Sequence, residues 1–137
     1  IITKWRAQET AVVCVEEGPE WYAALNWAAN LNRSALRGGW GCDLTIRYGT
    51  CPSYLGGDNV AGCFDPATQT ISIIYTGYGY AITLHEVGHA LGLGHRAQYC
   101  AQSAMAELGC PGQDSLWAID LQEARANLGM SQPGWGN

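Results

Sequence analysis

Every histidine of this 137-residue chain falls within one eleven-residue stretch, HEVGHALGLGH (85–95). No other feature restricts the local fold as tightly. His85 and His89 are four residues apart, so a helix places them one above the other on the same face. Gly92 has no Cβ and accepts a positive φ, so it can end that helix abruptly. The chain can then turn back and bring His95 to the same point. Three neutral imidazoles converging on one tetrahedral zinc leave a fourth position open, which distinguishes a catalytic site from a closed structural one. Glu86, beside the first histidine, stands near the metal without ligating it and can take a proton from water. In a shuffled chain of this composition these residues reach these offsets about once in 500,000. The plainer reading is a helix with two structural histidines, or a structural metal site. A closed structural site needs four protein ligands, and the chain has no fourth histidine.

Composition narrows the setting. The length suits one domain with a real core. The net charge is −5 and Lys4 is the only lysine. That excludes the clustered cations of nucleic-acid and anionic-membrane binding. No run approaches the roughly 18 apolar residues of a transmembrane helix. No basic region leads into an apolar run at the start, so a processed mature form is expected. Cys14, Cys42, Cys51, Cys63, Cys100 and Cys110 form an even, scattered set without a Cys-x-x-Cys pair. Such a set reads as three disulfides in an oxidising, extracellular compartment rather than a Cys-ligated zinc.

The order of elements follows from pattern and punctuation. Residues 11–17 (AVVCVEE) form a β-branched strand. Residues 18–39 carry Pro19 near the start and Gly38-Gly39 at the end. Their apolar residues Trp21, Ala24, Leu25, Ala28, Leu31 and Ala35 predict one long helix. CDLTIRYG (42–49) alternates as a second strand, giving a βαβ unit with parallel strands. NVAGCF and TISIIY flank DPATQ as a hairpin. The zinc helix is predicted over 80–94. A last helix covers AIDLQEARANLG, with Asp120 as cap, Glu123 completing a capping box, Gly129 as terminator and Leu121, Ala124 and Leu128 buried.

HEVGHALGLGH resembles the H-E-x-x-H-x-x-G-x-x-H signature of the metzincins, a clan of zinc endopeptidases. Met105 in SAMAE, ten residues past His95, corresponds to the methionine of the family's Met-turn; otherwise a methionine there is ordinary core filling. AITLHEVGHALGLGH and DLQEARANLG are similar to matrixins. The small size and the cysteines on either side of Met105 are similar to small secreted snapalysin-type proteases, which carry Asp where this chain has His95. Arg96 replaces the serine usual in matrixins, no histidine remains for a second zinc, and no tyrosine closely follows Met105. The subfamily stays open.

The resemblance implies an α+β zincin-like metzincin catalytic domain. It would have a twisted mixed sheet with an antiparallel edge strand, a long helix before and the active-site helix after. A small irregular C-terminal part would end in a helix. The single domain 1–137 would divide near 92 and 93. The implied activity is peptide hydrolysis with one zinc held by His85, His89 and His95 and with Glu86 as general base, by a secreted monomer acting on protein or peptide. Substrate would lie along the outer hairpin strand at Val60, Ala61 and Gly62. The lower wall would contain Ala104, Met105, Ala106 and the ELGCPG loop (107–112). Tyr78, Tyr80 and Tyr99 flank the zinc helix as packing or surface groups within reach of substrate. Six cysteines allow 15 pairings. The expected set is Cys100–Cys110 around the Met-turn, Cys51–Cys63 before the hairpin and Cys14–Cys42 between the first strands. Asp43, Asp58, Asn59 and Asp65 offer oxygens for calcium but lack calcium-loop spacing. The alternatives are a non-catalytic zinc-stabilised binding module and a zinc hydrolase of a non-protein amide.

Overall fold

The computed structural model describes residues 2–6, 12–39, 41–96, 102–106 and 114–130. Within them the chain is mixed α+β. The order is β1 (Val12–Glu16), α1 (Tyr22–Asn30), β2 (Ser34–Gly38), β3 (Thr45–Tyr48), β4 (Gly62–Asp65), β5 (Thr70–Ile73), α2 (Gly79–Ala90) and α3 (Ala118–Asn127). β1 and β2 pair in parallel. β5 lies between β3, its parallel partner, and β4, its antiparallel partner. A parallel bridge between Val15 and Leu44, with the Glu16 N–H donating to the Leu44 carbonyl at 2.8 Å, brings β1 alongside the start of β3. The expected antiparallel edge strand is therefore β4. Among the described residues no helix is long and apolar enough to cross a membrane.

The long helix expected over 18–39 is corrected. It spans only nine residues, and 34–38 is a strand. Asn32 takes the left-handed conformation with φ 52°, which asparagine tolerates better than most residues. That break frees 34–38 to pair with β1, whose Val13 and Val15 are fully buried while the alternate positions face outward. Backbone pairing outweighs a modest helix propensity there. The first βαβ unit is accordingly β1–α1–β2, and 11–17 meets 42–49, the expected parallel partner, through the Val15–Leu44 bridge on its other side. The buried face of α1 also differs from the expected stripe. It consists of Ala23, Ala24, Trp27 and Ala28, with Leu31 after it. Trp27 is central, because its indole N–H donates to the Leu84 carbonyl at 2.9 Å and ties α1 to α2.

The core joins Val13, Val15, Leu44, Ile46, Ile71 and Ile73 from the strands to Trp27 and Leu31 beside α1 and Leu84, Val87 and Leu91 around α2. α2 ends as expected. Gly92 adopts φ 88°. The Gly92 N–H donates to the His89 carbonyl at 2.9 Å and the Leu93 N–H to the Gly88 carbonyl at 3.0 Å. This reciprocal pair is a Schellman motif. α3 ends the same way at Gly129, φ 71°.

Cys14–Cys42 and Cys51–Cys63 are bonded as expected; Cys100–Cys110 lies outside the described residues. The four oxygen donors considered for calcium do not assemble. Asp43 accepts the Cys14 N–H and Asp65 accepts from Tyr54 and the Ala67 N–H. Among the described residues the histidines form the one potential metal-holding group.

Candidate metal centre

α2 supplies His85 and His89 one turn apart, and the Gly92 turn delivers His95 beside them. The His89 Nε2 lies 3.1 Å from the Nε2 atoms of both His85 and His95. A tetrahedral zinc with Zn–N of about 2.05 Å would set ligand nitrogens about 3.3 Å apart. The opposite ring edges explain what these atoms are. His85 Nδ1 is 2.9 Å from the Ala104 carbonyl, and His89 Nδ1 is 2.8 Å from the Leu93 carbonyl. A carbonyl only accepts, so each Nδ1 carries the proton and each Nε2 presents a lone pair. Two lone pairs facing each other at that distance repel unless a cation sits between them. The donor set thus fits a metal ion, and the carbonyl partners fix the ring orientations as metal-ligating histidines require. Among the described residues no fourth His, Cys, Asp or Glu joins the group.

Burial lowers the His85 pKa to about 4, and neighbouring His89 and His95 push the same way. Burial also lowers that of His89. Both rings therefore stay neutral, the form that binds metal. Glu86 is only 5 % exposed, and burial raises its carboxyl pKa to about 7. It stands outside the histidine group yet lines the same cleft.

That cleft measures about 660 Å³. The three histidines and Glu86 form its floor, and Leu55, Asn59, Val60, Ala61, Gly62, Cys63 and Phe64 form its wall. The wall leads into β4, the sheet edge. The Ala61 carbonyl faces inward, accepting the Ile74 N–H at 3.0 Å. By strand alternation Gly62 turns its main-chain groups away from β5, and Val60 lines the cleft just before the strand. Of the three wall residues expected to offer backbone, Ala61 thus has its carbonyl committed. Gly62 lets β4 lie close to α2, since a Cβ there would stand 2.5 Å from Ile82 Cγ2. Cys51–Cys63 ties the wall to the segment before it.

Ala104 and Ala106, expected in the lower wall, are fully buried and are not among the described residues that line the cleft. Ala104 serves instead through its carbonyl, on His85. Met105 is also fully buried, and its thioether lies against the backbone of Gly88, between the two helical histidines. Tyr78 is exposed at the start of α2. The Tyr80 hydroxyl accepts from Asn26 while its ring stacks on Tyr22, and neither tyrosine lines the cleft. Tyr99 and the ELGCPG loop lie outside the described residues.

Asp120 was expected to begin the last helix as its cap. It is the third helical residue, fully buried, and its carboxylate accepts from the Trp117 N–H at 3.1 Å, the Ala104 N–H at 2.8 Å and the Ser103 hydroxyl. Ser103 Oγ in turn accepts the Met105 N–H at 3.0 Å. Asp120 therefore fixes the segment whose carbonyl orients His85. The aspartate before an apolar stripe was the only sequence signal for this role, and it reads equally well as a plain cap. Glu123, the expected capping-box partner, instead pairs with Arg96. No family model matches the chain, and no curated protein matches its sequence.

Proposed function

We propose that the chain is a secreted zinc endopeptidase of the metzincin type. The observation that carries this reading is the convergence of three Nε2 atoms, two of them with their lone pairs fixed inward, beside Glu86, a buried carboxyl outside the trio, at the foot of an edge strand. A purely structural metal has no use for such a carboxylate. The two disulfides agree with an oxidising, extracellular setting.

His85, His89 and His95 would hold the ion. Zinc supplies Lewis-acid polarisation and a lowered pKa for the attacking water. Glu86 accepts the proton of that water and returns it to the leaving amine nitrogen. Its apolar surroundings suit it to this shuttle, because they keep proton affinity close to neutrality. The main-chain groups of Val60 and Gly62 pair with an extended peptide, adding a strand to the sheet. Among the described residues that line the cleft, Glu86 is the one acidic group.

Incubation with casein, with and without a zinc chelator, tests the reading. Cleavage that the chelator abolishes supports it. No cleavage in either case would favour a metal-stabilised binding module. Inactivity on a panel of unstructured peptides, with release of fragments from cell-wall material, would favour hydrolysis of a non-protein amide.

A further inference from the structure

We infer that Arg96 is the positioning residue of the third metal ligand, holding His95 in place through α3. The inference rests on the metal reading above but not on peptidase activity. His85 and His89 are each oriented by a carbonyl on Nδ1. Among the described residues His95 has no such partner, and it is the exposed member of the trio. Its ring alone does not hold it, and the next residue does. The Arg96 N–H donates to the Met105 carbonyl at 2.9 Å. Its guanidinium pairs with Glu123, reaches the Ile119 carbonyl at 3.4 Å and lies 3.8 Å from the buried Asp120 carboxylate. The Arg96 side chain is 14 % exposed and that of Asp120 is 0 % exposed.

One cation therefore spans two parts of the centre. Asp120 fixes the Ala104 segment that orients His85, and Arg96 fixes the segment that carries His95. Both are referred to the first turns of α3. Both close contacts run through Nη2, while the buried Nε faces Asp120 at 3.8 Å without a hydrogen bond; the spread of the guanidinium lets one cation face both carboxylates, which a compact lysine ammonium does less well.

The test is metal affinity in the full chain, read by zinc competition and by the visible absorption of the Co²⁺-loaded protein. Arg96→Ala is expected to weaken zinc binding about 10-fold, the low end for groups that orient ligands. It should also alter the Co²⁺ spectrum, since His95 is less firmly held. Arg96→Lys should recover part of the affinity. A change confined to folding stability would lower the loaded fraction without altering that spectrum. An Arg96→Ala protein with affinity within about twofold of the parent and an unchanged Co²⁺ spectrum overturns the inference. Should Arg96→Ala not fold, Glu123→Ala removes only the more exposed end of the pair. A measurable loss of affinity in that variant supports the inference, and parent affinity overturns it. A parent chain that bound neither zinc nor Co²⁺ would instead refute the metal reading itself.

Discussion

The thioether of Met105 occupies the space that a side chain on Gly88 would fill. The Trp27 ring closes the same spot, its Cζ2 lying 3.4 Å from where a Cβ would stand. The floor under the two helical histidines is thus a methionine and a tryptophan pressed against bare helix backbone. A glycine inside a helix costs about 1 kcal/mol against alanine, and here that cost is set against close packing beneath the metal ligands.

Gly88→Ala is therefore expected to destabilise the metal-free protein by about 1–3 kcal/mol, the usual range for overpacking, despite the better helix propensity of alanine. The midpoint of urea unfolding measures it. Combining Gly88→Ala with Met105→Ala should cost less than the sum of the two single changes, because the residues share one space. Strict additivity would mean that they do not press on each other.

Removing the carboxylate of Glu86 separates chemistry from binding. Glu86→Ala should bind one zinc as the parent does and lose at least about 100-fold in peptide turnover, within the span for one acid–base group. Turnover near the parent value would sink the assigned role.

The raised pKa of Glu86 makes a prediction about stability without metal. The unfolded carboxyl ionises near 4.5 and the folded one near 7. Below about pH 4.5 both states are protonated and burial of the group carries no charge penalty. Between these values the folded state retains the proton while the unfolded state releases it, so stability falls as pH rises. Glu86→Gln should match the parent at pH 4 and exceed it at pH 8 by up to about 3 kcal/mol. A constant difference across that range would contradict the burial argument. His85 acts in the opposite sense: its folded pKa of about 4 lies below the unfolded 6.5. The unfolded chain therefore gains protons first as pH falls from about 6.5, and acid destabilises the fold over that interval.

One equivalent of zinc should stabilise the chain. Free zinc at 100 times its Kd adds about 2.7 kcal/mol to the unfolding free energy, seen as a rise in the thermal midpoint that a chelator reverses. His89→Ala should remove nearly all of that rise, because His89 Nε2 lies 3.1 Å from each of the other two ligand atoms. A second stabilising equivalent would contradict the single site.

Helix α2 was legible in the sequence because its cues are local. Spacing of four puts His85 and His89 on one face, and a glycine ends the helix. The hairpin was legible for the same reason, through Asp65-Pro66 between two β-branched runs. What escaped depends on partners distant in sequence. Residues 34–38 have acceptable helical character, and only the parallel register with Val12–Glu16 makes them a strand. Trp27 lay off the expected apolar stripe because its burial is decided by a carbonyl on α2. Asp120 looked like a helix cap, since nothing local announces that its other oxygen lone pairs serve Ser103 and Ala104. Arg96 followed the motif as a mere departure from the matrixin pattern until α3 came within reach of it.

The two observed disulfides both close before residue 64. Those two bonds fasten the sheet side of the described residues covalently, whereas His95 is held next to α2 by the contacts of Arg96 and, beneath the helix, by the methionine floor. With zinc bound as proposed, its removal should loosen the His95 turn before the disulfide-bonded sheet. A protein so fastened could lose its working centre and recover it on remetallation without ever passing through the fully unfolded chain.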